Sequence, residues 1–124
     1  MIALLLALTA GCQTTPPRAQ HWVRTELYFG LSEEGHGISQ AQWQSFLDRQ
    51  VTPRFPDGLS VVDVAGQWKG ESGQITREPS KLLILLHPPD GAIDKQIDEL
   101  RAIYRRQFHQ ESVLRTDEPA SVEF

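Results

Sequence analysis

The chain is short of the residues that many function classes need. It has one cysteine, Cys12, in 124 residues, so no disulfide forms within it. Acidic residues outnumber basic ones, 16 to 12, for a formal net charge of −4. Nucleic acid is therefore not an expected partner, because phosphate binding wants a clustered basic surface. The one basic cluster, Arg101, Arg105 and Arg106, falls in the second half of a predicted helix. There it complements the negative end of the helix dipole. The four histidines, His21, His36, His87 and His109, are too far apart in sequence for a local metal motif. Gly35-His36-Gly37 has Gln40 where a dinucleotide loop needs its third glycine. Gly70-Glu71-Ser72-Gly73 lacks the spacing of a nucleophilic serine elbow. No metal and no cofactor is expected.

Long apolar runs are also missing. The N-terminal stretch Ile2–Ala10 is apolar apart from Thr9, and as a helix it rises only about 14 Å, against a bilayer core of about 30 Å. That length suits the hydrophobic region of a signal peptide. The small residues Thr9-Ala10-Gly11 then lead into Cys12. The pattern resembles a bacterial lipoprotein signal, with residues 1–11 removed and Cys12 carrying the lipid. Two positions depart from it: Thr9 stands where a leucine is usual, and no Lys or Arg precedes the apolar run. An ordinary cleaved signal with an incidental Cys12 is the plainer alternative. By resemblance to Gram-negative lipoproteins, Gln13 after the cysteine implies the outer membrane, facing the periplasm. Residues 12–21 read as the lipidated cysteine and a flexible tether of about 25 Å. Residues 22–124 read as one domain.

Within that domain the most apolar stretch is Leu82-Leu83-Ile84-Leu85-Leu86. It does not alternate, which fits a strand covered on both faces. A first strand is expected over Trp22–Leu31, with Leu27, Phe29 and Leu31 on one face and Glu26, Tyr28 and Gly30 on the other. Ser39 and Gln42 form a capping box before a helix that presents Trp43, Phe46, Leu47 and Val51 and ends near Pro53. A second strand over Leu59–Val64, a hairpin turn at Glu71–Gln74 and a third strand over Ile75–Leu86 follow, with a bulge or an edge at Pro79. The next helix buries Ile93, Ile97, Leu100, Tyr104 and Phe108. A fourth strand over Ser112–Thr116, a turn at Asp117-Glu118-Pro119 and a short edge strand at the end complete the chain. The order βαββαβ predicts a ferredoxin-like α+β fold, an antiparallel sheet with two helices on one face and strands one and three at its centre.

Such a sheet leaves its second face open, and here that face is apolar. Its expected cover is a second copy of the chain, a small ligand, or the chain's own ends, including Trp22 and Phe124. Glu26 and Tyr28 share that face. A carboxyl beside a phenol on apolar surface is a candidate acid/base with a raised pKa; the plainer account pairs Glu26 with Lys81, Arg77 or Arg54. A second candidate site groups Arg54, Gln67, Glu78 and Lys81 with Trp68 as a stacking wall, an anion or carbohydrate cleft. The plainer account is loop order and edge protection.

Five segments carry a family likeness: Thr25–Gly30, Thr52–Leu59, Gly66–Trp68, Arg77–Lys81 and Gln110–Val113. Together they resemble a family of small bacterial lipoproteins catalogued only as a domain of unknown function, over Thr25 to Phe124. The resemblance implies a lipid-anchored, periplasm-facing protein. It implies no activity and no catalytic residue. Two function classes remain. One is a non-enzymatic envelope module whose sheet face dimerises or binds a small ligand. The other is a small dimeric ferredoxin-like enzyme using Glu26 as acid/base, with Tyr28 or Arg54 orienting the substrate.

Overall fold

A computed structural model describes residues 19–33 and 36–124. Cys12, the expected signal segment and the greater part of the expected tether lie outside the described residues. Strands β1 (Gln20–Gly30), β2 (Ser60–Lys69), β3 (Ile75–His87) and β4 (Leu114–Val122) form one sheet in the order β2-β3-β1-β4. All neighbours are antiparallel. Helices α1 (Gln40–Phe46) and α2 (Gly91–Gln107) are the two crossovers. This is the ferredoxin-like split sheet, with the two most apolar strands in the middle. A two-residue hairpin, Ser32–Glu33 against His36–Gly37, stands beside it.

The local signals act as their chemistry requires. Ser39 accepts from the Gln42 amide and the Gln42 side chain accepts from the Ser39 amide, so two orphan donors of α1 are satisfied at once. After Phe46 the helix widens into a π-helical segment, Leu47–Val51, and the Thr52 amide reaches the Leu47 carbonyl at 2.9 Å. Pro53 then stops it. Asp90 caps α2 by accepting from the Ala92 amide at 2.8 Å. Arg105 and Arg106 lie in the last turn of α2, as its dipole favours.

One face of the sheet meets both helices. Thr25, Leu27 and Phe29 from β1 and Leu83 and Leu85 from β3 are fully buried there. Trp43, Phe46 and Val51 come down from the first helical segment, and Ile97, Leu100, Tyr104 and Phe108 from α2 and its end. At the centre Tyr104 packs against Phe29, Phe46 and Phe108 with ring centroids 4.6, 4.9 and 4.7 Å apart. Its hydroxyl donates to the Gly30 carbonyl at 2.7 Å, which ties α2 to the end of β1.

Several boundaries differ from expectation. β1 begins at Gln20, so the last two residues assigned to the tether belong to the sheet. β2 runs on through Gly66-Gln67-Trp68 to Lys69. Most instructive is β4, a single strand that passes through Asp117-Glu118-Pro119, where a turn was expected. Pro119 is opposite Val23 on an edge strand, and only an edge strand has a side on which a missing N–H costs no ladder bond. Pro79 resolves to an edge. Pairing with β2 continues without interruption through Pro79 and Ala65, while pairing with β1 stops one residue earlier, at Gly30 and Ser80. The Pro79 carbonyl faces the β1 side, accepting from the Leu31 amide at 3.0 Å. Its absent N–H would face the Leu31 carbonyl, which accepts from the Ile38 amide at 2.7 Å instead.

Candidate functional site

The outer face carries the even-numbered residues of the central strands. Tyr28 lies beside Leu82 and Leu114, and Glu26 beside Ile84 and Thr116. Val62, Leu86 and Leu114 are exposed, and Leu82 and Ile84 are half-buried. At one end of this face the surface sinks into a cleft of about 740 Å³. β1 and β2 end there, β3 and β4 begin there, and the loop after α2 forms the rim. Tyr28, Trp68, Glu78 and Ser80 are on its floor and walls, and Gln110 to Ser112 are on the rim.

Two glycines make the cleft. A Cβ on Gly30 would stand 2.7 Å from Glu78 Oε1 and 3.1 Å from Gln110 Oε1, so only glycine lets those two side chains close over β1. A Cβ on Gly66 would meet the Glu78 carbonyl at 3.2 Å. Glu78 Oε1 accepts from the Ser32 amide at 2.9 Å, and Gln110 donates to the Ser32 and Phe108 carbonyls. The rim is thus cross-tied to the strand end. His109 next to it adopts φ 48°, the left-handed turn that ends α2.

Of the five residues expected to make an anion or carbohydrate cleft, three are brought together: Gln67, Trp68 and Glu78. The other two are elsewhere. Arg54 donates to the Gln50 carbonyl at 2.7 Å and to the Gln50 side chain at 3.1 Å, closing the turn after α1. Lys81 is on the helix-covered face, buried, with its ammonium on Asp63. Register decides this: Lys81 is an odd residue of β3 and faces opposite to Glu78 and Ser80. The lining therefore contains Glu78, Glu111 and His109 but no lysine or arginine. Two carboxylates against one imidazole suit hydrogen-bond donors better than anions.

Glu26 and Tyr28 are together, as expected, but in a different state. Glu26 accepts from Arg24 Nε at 3.0 Å and Nη2 at 2.8 Å, and from the Tyr28 hydroxyl at 2.9 Å. The Arg24 guanidinium, then the phenol, hold its carboxyl below the ordinary value instead of raising it. The same hydrogen bond raises the Tyr28 phenol. The partner is Arg24, not Lys81, Arg77 or Arg54, because residues two apart on a strand share a face. Tyr28 lines the cleft and Glu26 stands behind it.

The rim residues Gln110, Glu111 and Ser112 were not assigned to a site from the sequence, although they formed one of the five family segments. The topology was the usable signal. In βαββαβ the α2–β4 connection lies at the same end as the end of β1 and the β2–β3 hairpin. Among the described residues no group of three His, Cys, Asp or Glu is placed to hold a metal ion.

Solved structures with this architecture include a phage SAM lyase in its apo state (TM-score 0.61, 16% identity, 82% of this chain and 89% of that one). A phage SAM lyase in complex with S-methyl-5'-thioadenosine is also similar (TM-score 0.58, 18% identity, 97% and 95% covered). So is CutA from Synechococcus elongatus (TM-score 0.52, 14% identity, 81% and 78% covered). At such identities the likeness is one of fold. No curated protein matches the chain. A family model does match, over residues 24–124, and so the chain belongs to the family described as protein of unknown function (DUF3574).

Proposed function

We propose that this chain is a binding domain of the bacterial envelope, held to the outer membrane by lipid on Cys12. It takes a small, donor-rich ligand with one flat apolar face into the cleft at the open end of its sheet. The observation that carries the reading is the cleft itself. Trp68, half exposed at 49%, offers a ring face, Tyr28 a second aromatic surface, and Glu78 and Glu111 acceptors, with His109 the one basic side chain in the lining. Neutral polyols, nucleosides and organic cations share that chemistry. Val62 and Leu86 leave apolar surface on the face outside the cleft, which supports a second copy of the chain as the cover for the rest of the face.

The test is calorimetric titration of the full chain with sugars, nucleosides and organic ammonium ions, repeated on Trp68→Ala and Glu78→Gln. A ligand whose affinity falls at least about tenfold in both variants supports the reading. Binding that ignores both substitutions places the site elsewhere and overturns it. Native mass spectrometry of the same samples reads the oligomeric state.

The likeness to structures named as SAM lyase favours one second reading, an enzyme in which the Glu26–Tyr28 pair acts on a nucleoside-bearing substrate. Glu26 is a poor base in its present pairing, so its role would be to hold the Tyr28 phenol protonated and aimed. Incubation with SAM separates the two. Consumption that stops in Glu26→Gln and Tyr28→Phe supports the enzyme. Unchanged SAM with retained binding supports the module.

A further inference from the structure

The end of the sheet opposite the cleft carries an aromatic pair that the cleft does not use. Trp22 on β1 and Phe124 have ring centroids 5.5 Å apart. Phe124 is 89% exposed, more than any other large apolar side chain of the described residues. The Trp22 indole donates to the Gln20 side chain at 3.1 Å, which leaves the ring faces as the contact surface. An aromatic pair with a polar edge is the chemistry that settles at a bilayer interface.

Its position fixes the partner. β1 starts at Gln20, eight residues after Cys12, so a lipid on Cys12 holds the start of the strand within about 28 Å of the membrane surface. The cleft is at the far end of the same strand, at Gly30, about 27 Å beyond Trp22. The charged side chains near the pair, Arg24 and Glu118 on these strands and Glu123 just after β4, make no basic cluster. Such a contact owes nothing to anionic headgroups. Among the described residues no helix is long and apolar enough to cross a membrane.

We infer that the Trp22–Phe124 end rests on the bilayer interface and that the cleft is turned away from the membrane. The inference rests on the anchoring role of Cys12 proposed above. The tether sets the distance, and the aromatic pair sets which end of the domain points down.

The lone thiol allows a test that does not depend on natural lipidation. The full chain is coupled through Cys12 to a maleimide lipid in zwitterionic vesicles whose acyl chains are brominated near the headgroup. Bromine quenches indoles at the interface. Trp43 is in the core at 1% exposure and stays shielded. Quenching is expected in the coupled chain, lost several-fold in Trp22→Phe, kept in Trp68→Phe, and insensitive to added salt. Quenching unchanged in Trp22→Phe, or lost in Trp68→Phe, overturns the inference, because the domain then lies in another orientation. No quenching in the coupled chain also overturns it. Failure of the anchor is read separately. If Cys12→Ser stays on membranes in the bacterium, natural lipidation is wrong, while the vesicle result still stands or falls by itself.

Discussion

The two faces of the sheet are made of alternate residues of the same strands and have different fates. On β3, Leu83 and Leu85 are 0% and 1% exposed, while Leu86 between Leu85 and His87 is 46% exposed. Residue type does not separate them, since the run from Leu82 to Leu86 is aliphatic throughout. The cover does: both helices lie on one side. Polar groups differ in the same way. On the covered face the Thr25 hydroxyl donates to Asp117 at 2.5 Å and lies 2.9 Å from His87 Nε2. Arg115 joins Asp94 at 2.5 Å and Asp117 at 2.9 Å. Burial alone would depress Arg115, but these carboxylates outweigh it and raise its pKa. Among the described residues no buried side-chain polar atom lacks a partner. On the open face Arg24, Glu26 and Tyr28 bond to one another in reach of water, where nothing forces the pairing to be complete.

Neighbouring leucines test that contrast most strongly. Leu85→Ala should cost about 2–5 kcal/mol in a denaturant titration, since it opens a cavity under the helices. Leu86→Ala should cost less than about 1 kcal/mol, because much of its surface is already wet. A comparable loss at Leu86 that deepens as the protein is diluted would mean that a second copy covers the open face in solution.

The polar cluster of the covered face comes next. Thr25→Val keeps the volume but leaves Asp117 and His87 facing a methyl group, at a cost of about 1–3 kcal/mol. The loss should depend on pH. Burial pushes the Asp117 carboxyl up, but hydrogen bonds from Thr25 and Arg115 outweigh it and hold the group below its ordinary 3.8. A carboxyl depressed in the folded state adds stability above pH 3.8 and loses it as pH falls through the folded value. The gap between wild type and Thr25→Val should therefore be widest near neutrality and narrow below pH 3.8. A gap that stays constant into acid would mean that Thr25 acts by packing alone.

Gly30→Ala probes where the two faces meet. Its Cβ would force Glu78 and Gln110 outward from the strand end. Both are side-chain ends that give way, so the expected cost is about 1–3 kcal/mol. The clearer sign is weaker ligand binding, since Glu78 and Gln110 both line the cleft. If Gly30→Ala binds as wild type does, the closure of Glu78 and Gln110 does not shape the site.

Much of this was legible in the sequence, and the failures have physical reasons. The fold followed from periodicities and from one capping signal, the box at Ser39 and Gln42. The open apolar face followed from a run that fails to alternate. Glu26 beside Tyr28 followed from the two-residue repeat, and that repeat also places Arg24 on their face and Lys81 on the other. Proximity in sequence hid both facts. Pro119 read as a turn because an edge strand cannot be told from a central one before the strand order is known. Gln110–Ser112 could be assigned to the cleft only from topology, since nothing local marks a rim.

The smallest expected effect is the most discriminating for function. Glu26→Gln keeps the size and the acceptor oxygen while removing the charge that holds Arg24. The carboxylate is partly solvated, so stability should barely move. What should move is Tyr28. Without the anion its phenol loses the main cause that raises it and should titrate closer to the ordinary 10.0, read by ultraviolet absorbance. If ligand binding survives that change and the domain stays folded, the pair merely organises surface, and the cleft works through Trp68, Glu78 and its rim. If binding or turnover collapses while the fold is intact, the charge behind Tyr28 belongs to the site, and the open face is chemically active beyond being apolar. Unfolding of Glu26→Gln would break the contrast itself, because it would make a residue of the open face as indispensable as one beneath the helices.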